Sequence, residues 1–415
     1  MYSQYAKSLI NGPASFDFVA AHFACEQDKY SAANPAGYVN FGSAQNFLSK
    51  VDIAERLKSL TWDAEDTPYR KFVGTDACRH SVAHYLQEVS GRSISPDDIV
   101  VGNGVISVLE ALSNSILDAG DSILVPTPVF PGLVTALTAR TGVKFVCLEA
   151  EAESNFKLSP AALRDKLMEL GQQGSPVKAV LLCSPSNPVG QVFSADEVRE
   201  FVRVAEEFNV ALIVDEIYTS SCFEGINFVS ALSFLSDNVC VIGGLSKDFG
   251  LAGYTTAWVH TTNDVVLLAL KKQSHFYRLS APIQRAIQSF LDPNWRRGFT
   301  RQNRNRLTQS YDFAYDELTE MGVPVTPAEA GLVLWLDLRE WLKCEDDYGQ
   351  LELYRYLLEQ HRVHLSPASG FFFSQPGFFR ICFSQERETL QEGLRRIQQG
   401  LHQFKRDGSN NFTKV

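Results

Sequence analysis

Short apolar runs rich in β-branched residues recur through the middle of the chain. Between them, apolar positions return every three or four residues. The short runs are DDIVV (97–101), SILVP (122–126), VKFVCLEA (143–150), KAVLLCS (178–184), VALIVDE (210–216) and NVCVIGG (238–244). They lack the apolar–polar alternation of a half-exposed strand, so each is predicted to be a strand buried on both faces. ISVLEALSNSIL, after the first run, and the stretch from about Pro131, after the second, carry the helical period. Strands alternating with helices predict an α/β fold with a mostly parallel central sheet. This large domain is placed at residues 76–295.

The pattern changes towards the end of the chain. NRNRLTQSYDFAYDEL, inside the stretch from Trp295 to Leu318, predicts a long helix with a polar face. GLVLWLDL (331–338) and GFFRICFS (377–384) predict strands, with a helix from about Tyr348 to Gln360 between them. Residues 296–415 therefore read as a smaller α+β domain. Residues 1–75 are loop-rich, above all NPAGYVNFGSAQN (34–46), and read as a segment that dresses both lobes.

Composition narrows the class of protein. Of 415 residues 45% are hydrophobic, enough to fill cores of this size. Lys and Arg number 38 against 48 Asp and Glu, a formal charge of −10, which makes the chain a poor candidate for wrapping nucleic acid and disfavours anionic lipid. The eight cysteines form no CxxC pair and several sit inside apolar runs, as expected of reduced thiols. No apolar run reaches the ~20 residues that span a bilayer. The N-terminal MYSQYAKSLINGPASFDF has no basic region followed by a long apolar stretch, so no signal peptide is expected. A cytoplasmic protein follows, with a polar C-terminal GSNNFTKV expected to fray. HExxH and Walker-type GxxxxGK are absent, and His80/His84 on a predicted helix read as a solvated face, so no metal is expected.

The candidate chemistry lies where predicted strands end. GGLSKDFGLAG (243–253) places Ser246 and Lys247 just beyond one buried run, where open α/β sheets bind ligands. VALIVDEIY puts Asp215 at the end of another, with Tyr218 three residues on. A carboxylate emerging from five apolar residues is partly desolvated and needs a cationic or donor partner. SPSNPVG (184–190) puts Asn187 in a turn after a third. Lysine, carboxylate, tyrosine and asparagine at neighbouring strand ends suit a pyridine aldehyde cofactor.

SPSNPVG, VDEIY, SKDFGLAG and FFRICFS, in this order and spacing, resemble the pyridoxal-phosphate (PLP) enzymes of fold type I, the class I/II aminotransferases. NPAGYVNFGSAQN, PTPVFPG, RTGVKF, AGLVLWLDLR and LSPASGF are similar to landmarks of the 1-aminocyclopropane-1-carboxylate synthases within them. The resemblance implies the fold type I architecture and pyridoxal 5'-phosphate as cofactor. It implies that Lys247 forms the Schiff base and carries protons, and that Asp215 pairs with the pyridine nitrogen. Asn187 and Tyr218 bond the ring's phenolic oxygen, Phe130 stacks on the ring, and Ser246 joins the cofactor-binding set. The amides of Val105 and Ile106 face the phosphate at a helix N-terminus. Arg380 clamps the substrate α-carboxylate. Asn187 and Gln45 complete the substrate wall.

Three positions depart from the family pattern. Ile106 stands where Ser or Thr is usual, Thr255 where an arginine anchors phosphate, and Phe72 where the partner subunit commonly supplies a tyrosine. Arg278, in SHFYRLSAP (274–282), lies in a stretch that the family passes across its dimer interface. A homodimer is implied, with residues 1–75 contributing contacts and Arg278 adding cationic charge to the neighbouring site. Gln45 replaces a glutamate that would complement a sulfonium. The reading leans to amino-group transfer on an L-α-amino acid. γ-Elimination on a substrate like S-adenosylmethionine, another specialised biosynthetic reaction, and a non-catalytic binding protein stay open.

Overall fold

The computed structural model describes residues 6–7, 17–61 and 63–409. Most of the N-terminal stretch read for a signal, and most of the C-terminal GSNNFTKV, lie outside the described residues. Strand β1 (Val39–Asn40) comes first. Then β2 (Ile99–Asn103), β3 (Ser122–Thr127), β4 (Lys144–Glu149), β5 (Val177–Cys183), β6 (Ala211–Asp215), β7 (Val239–Gly243) and β8 (Thr256–His260) form one seven-stranded sheet. Its order is β2-β8-β7-β6-β5-β3-β4. Every strand runs the same way except β8, which is antiparallel to both β2 and β7.

Both faces of this sheet are covered, which explains the unbroken apolar runs. Val101, Val180, Leu182, Val214 and Val241 pack into one core. Their chain neighbours Val100, Leu181, Ile213 and Ile242 pack into a second core on the opposite face. β4 departs from the expectation of burial on both faces. It is the outermost strand, paired with β3 alone, and each of its residues is exposed or half-buried. β8 escaped the sequence reading because TAWVH mixes Trp and His into a short run, yet all five of its residues are buried.

A four-stranded antiparallel sheet is built from β9 (Val325–Thr326), β10 (Val333–Asp337), β12 (Ser366–Pro367) and β13 (Phe378–Cys382) in the order β12-β13-β10-β9. The remaining strand, β11 (Val363–His364), pairs in parallel with β1, so residues 39–40 are held against residues 363–364. The long polar-faced helix expected from Trp295 is Pro293–Glu320, and a helix Asp347–His361 precedes β11. His80 and His84 lie exposed on the helix Asp76–Ser90. Among the described residues no helix is long and apolar enough to cross a membrane, and no cluster of metal-ligating side chains occurs.

Candidate active site

The carboxyl ends of the parallel strands share one edge of the large sheet. Asp215 is the last residue of β6, Asn187 lies four past β5, Lys247 four past β7, and Gly104 one past β2. Because β8 is antiparallel, Thr255 just before it lies at the same edge. A cavity of about 410 Å3 opens there. Lys247, Asp215, Asn187, Tyr218 and Ser246 line it, as do Val105, Ile106, Phe130 and Arg380. The sequence-predicted residues thus meet around one space, with two exceptions. Gln45 turns aside, donating from Nε2 to Ser43 Oγ at 2.9 Å. Arg278 lies over the rings of Tyr69 and Phe72, at 5.4 and 4.9 Å, in a separate cleft formed by residues 66–72 and 278–281.

Lys247 donates from Nζ to the Ala44 carbonyl at 2.7 Å. Burial, and then the nearby Arg380 guanidinium, bring its pKa down to about 8. Asp215 is 3% exposed, and its carboxylate accepts the Ile217 amide at 3.2 Å. Burial outweighs that bond and pushes its pKa up to about 7. Asn187 Nδ2 donates to Tyr218 Oη at 3.2 Å. Arg380, on β13, donates from Nη1 to Asn187 Oδ1 at 3.1 Å and from Nη2 to the Gly42 carbonyl. Its Nε is buried without a partner in the described structure.

The helix Val105–Ile116 begins against the cavity. Its N-cap is Gly104, at φ +84°, a conformation glycine adopts without strain. The capping residue offers no side-chain acceptor to the first-turn amides, and Val105 and Ile106 line the cavity. Ile106 and Phe130 are partly exposed at its mouth.

Some lining residues were not anticipated. Gly42, Ser43 and Ala44 form one wall, and His364, Ser366 and Phe371 another. Gly42 and Ala44 act through their carbonyls, which carry no side-chain signature. Gly42 has a signal of another kind, because a Cβ there would lie 2.2 Å from His364 Nε2.

Burial also raises Glu216 to about 8 and Asp248 to about 7. Asp215, Glu216 and Asp248 therefore hold protons in the folded chain that the unfolded chain, at about pH 4, has already released. These three groups make stability fall as pH rises between about 4 and about 8; buried His260 and His364, brought down to about 4 and about 3, oppose them below about pH 6.5, so the net fall is steepest from about pH 6.5 to 8. Lys247, with its folded pKa lowered, gives the opposite slope above about pH 8. The ligand-free protein is expected to melt roughly 5 °C or more lower at pH 8 than at pH 5. A calorimetric series across this range checks it; a flat or rising melting temperature would contradict the buried-carboxyl assignment.

Comparison with known proteins places this arrangement. The family model described as aminotransferase class I and II matches residues 37–397. A 1-aminocyclopropane-1-carboxylate synthase of Glycine max is 28% identical over 396 residues, covering 90% of this chain and 82% of that protein. 1-Aminocyclopropane-1-carboxylate synthase 7 of Arabidopsis thaliana is 28% identical, covering 97% and 96%. Aspartate aminotransferase from Thermus thermophilus with maleate superposes with a TM-score of 0.81 at 20% identity, covering 96% and 99% of the two chains. The asparagine-to-arginine polar chain, the buried carboxylate short of a cation and the lysine of lowered basicity all fit a pyridine aldehyde cofactor. The chain belongs to the class I and II aminotransferase family and is a pyridoxal-phosphate-dependent enzyme of fold type I.

Proposed function

We propose that the protein transfers the amino group of an L-α-amino acid to a keto acid. The observation that carries this reading is one cavity lined by Lys247, Asp215 and Arg380, in which Asp215 is the sole carboxylate among the described lining residues. When bound, pyridoxal phosphate supplies an electron-withdrawing ring that stabilises negative charge at the substrate Cα.

The chain's own groups do the rest. Asp215 sits where its charge would hold the ring nitrogen protonated. Asn187 and Tyr218 would present a polar pair to the ring's phenolic oxygen, and Phe130 would cover a ring face. Lys247 would hold the cofactor's aldehyde carbon and, once displaced by substrate, would take the proton from Cα and deliver it to that former aldehyde carbon. Arg380 holds the substrate carboxylate, so that the Cα proton is presented to Lys247.

Phosphate would be held by the amides of Val105 and Ile106 with the hydroxyl of Ser246, while the Thr255 hydroxyl donates to Asn103 Oδ1 at 2.7 Å. Ile106 offers no side-chain donor and Thr255 no charge, a deficit at ~1.5–3 kcal/mol for each missing bond to a charged group. In a homodimer, Arg278 of a second copy would offset part of it. The cofactor domain in this reading spans residues 76–295, flanked by 1–75 and 296–415.

The relatives named 1-aminocyclopropane-1-carboxylate synthase support a second reading, γ-elimination from a sulfonium substrate. A sulfonium calls for a carboxylate beside it. Gln45 is neutral and turned away, and Asp215 is committed to the ring nitrogen, so the geometry favours transfer. The test is an assay of the loaded protein with a panel of L-amino acids and a keto-acid acceptor. Keto-acid formation matched by amination of the acceptor is expected. Release of methylthioadenosine from S-adenosylmethionine, with no transfer from any amino acid, would replace this reading with the second.

A further inference from the structure

The long helix Pro293–Glu320 carries four arginines on one face near its start. Arg296, Arg297, Arg301 and Arg304 line a cleft of about 520 Å3 together with Thr300, Glu224 and Gly225. No residue lines both this cleft and the cavity around Lys247. Residues 296, 300 and 304 follow the i, i+4, i+8 spacing, as do 297 and 301, so the side chains converge on one side of the helix. Like charges at this spacing repel, and a chain of net charge −10 has no general surplus of cations to explain them.

The protein's own acceptors neutralise the cluster only in part. Glu88 serves two of the arginines, accepting Arg296 Nη2 at 2.7 Å and Arg297 Nη2 at 3.0 Å. Arg304 spends its donors on the carbonyls of Cys222 and Ile226, both at 2.9 Å, which leaves its charge without a carboxylate. Arg301 is exposed and makes no hydrogen bond or ion pair among the described residues. Glu224, at the rim, is held by Asn305 Nδ2 at 3.2 Å rather than by an arginine. Inside the same cleft the Thr300 hydroxyl is buried and has no partner. That oxygen is closed off from solvent, so the cleft's binding capacity rests on the arginines.

We propose that this cleft binds a small molecule bearing two or more oxyanion charges, a phosphate ester or a polycarboxylate. Guanidinium forks match a pair of oxygens on either group, and the volume falls in the ~300–1,000 Å3 range of small-molecule sites. Arg301 supplies the free fork, Arg297 the donors it does not spend on Glu88, and Arg304 a fixed positive charge. The site is independent of the reaction proposed above.

Isothermal titration of the pyridoxal-phosphate-loaded protein tests it, with pyrophosphate and citrate as probes and acetate as the singly charged control. One saturable event per chain is expected for a multiply charged probe, weakening as salt is raised. Arg301→Gln is expected to weaken it at least about tenfold. That side chain has no internal partner, so the variant should unfold at the same temperature as the parent when no ligand is present. Tighter binding of pyrophosphate assigns phosphate groups, and tighter binding of citrate assigns carboxylates. Absence of binding by both at millimolar concentration, binding unchanged in Arg301→Gln, or acetate binding as tightly as either probe overturns the proposal.

Discussion

Lys247→Ala is expected to lower turnover by at least about 10²–10⁴-fold, the usual contribution of a positioned acid–base group, with the loss of covalent cofactor attachment added to it. The argument rests on the amine's protonation. With its pKa brought down to about 8 by burial, about one amine in ten is neutral at pH 7, against about one in 2,500 for an ordinary lysine. A neutral amine is what both attack on an aldehyde and proton abstraction require. Its Nζ is already fixed on the Ala44 carbonyl, inside the cavity that Asp215 and Arg380 share. Borohydride reduction of the loaded parent, followed by peptide mass analysis, should leave the cofactor fixed on Lys247, and the variant should carry none. Stability separates this loss from unfolding. Alanine removes a desolvated amine that has no carboxylate bound to it, so the ligand-free variant should melt no lower than the parent. A variant that keeps more than about a hundredth of parental turnover would remove Lys247 from the reaction.

How much of this was legible beforehand follows from which atoms carry the signal. The runs that became β2, β3, β5, β6 and β7 are apolar at nearly every position because both sheet faces are covered, and such runs advertise themselves. VKFVCLEA has the same look, yet β4 lies at the sheet's edge and is covered by less of the protein. An edge and an interior strand of similar composition differ only in what packs on them later. At the cavity, Lys247, Asp215, Asn187 and Tyr218 stand out as polar residues directly after apolar strands, and their convergence follows from parallel strands ending at a common edge. Gly42 and Ala44 contribute carbonyls, so nothing in their residue type announces them. Their place comes from the pairing of β1 with β11, two strands more than three hundred residues apart in sequence. Gln45 shows the converse. Its segment reaches the cavity, but the backbone turns its side chain onto Ser43. The arginine face of the helix Pro293–Glu320 was visible as polarity alone, because the cleft exists only once residues 224–225 come against it.

Arg380→Ala should cost the reaction about 3–5 kcal/mol in kcat/KM, roughly 10²–10³·⁵-fold, the range for removing one member of a buried charged pair. Arg380 is 3% exposed in the middle of β13, opposite Trp335 on one side and Ser366 on the other. Its bonds go to an amide oxygen and a carbonyl, its Cζ lies 4.8 Å from the Phe371 ring centroid, and its Nε is unsatisfied. Burial lowers its pKa, but a guanidinium keeps its proton, so a cation stands inside the protein with no carboxylate bound to it. A substrate carboxylate would complete that pair. Arg380→Lys retains charge without the fork and should remain at least about tenfold impaired. If Arg380 were purely structural, the loss would appear with every substrate. It should instead vanish with an amine that lacks the α-carboxylate, on which parent and variant should share the same low kcat/KM. The ligand-free variant should also be no less stable than the parent, since an unpaired buried charge has been removed. An equal proportional loss on the amino acid and on its carboxylate-free analogue would sink the assignment of Arg380 to substrate binding.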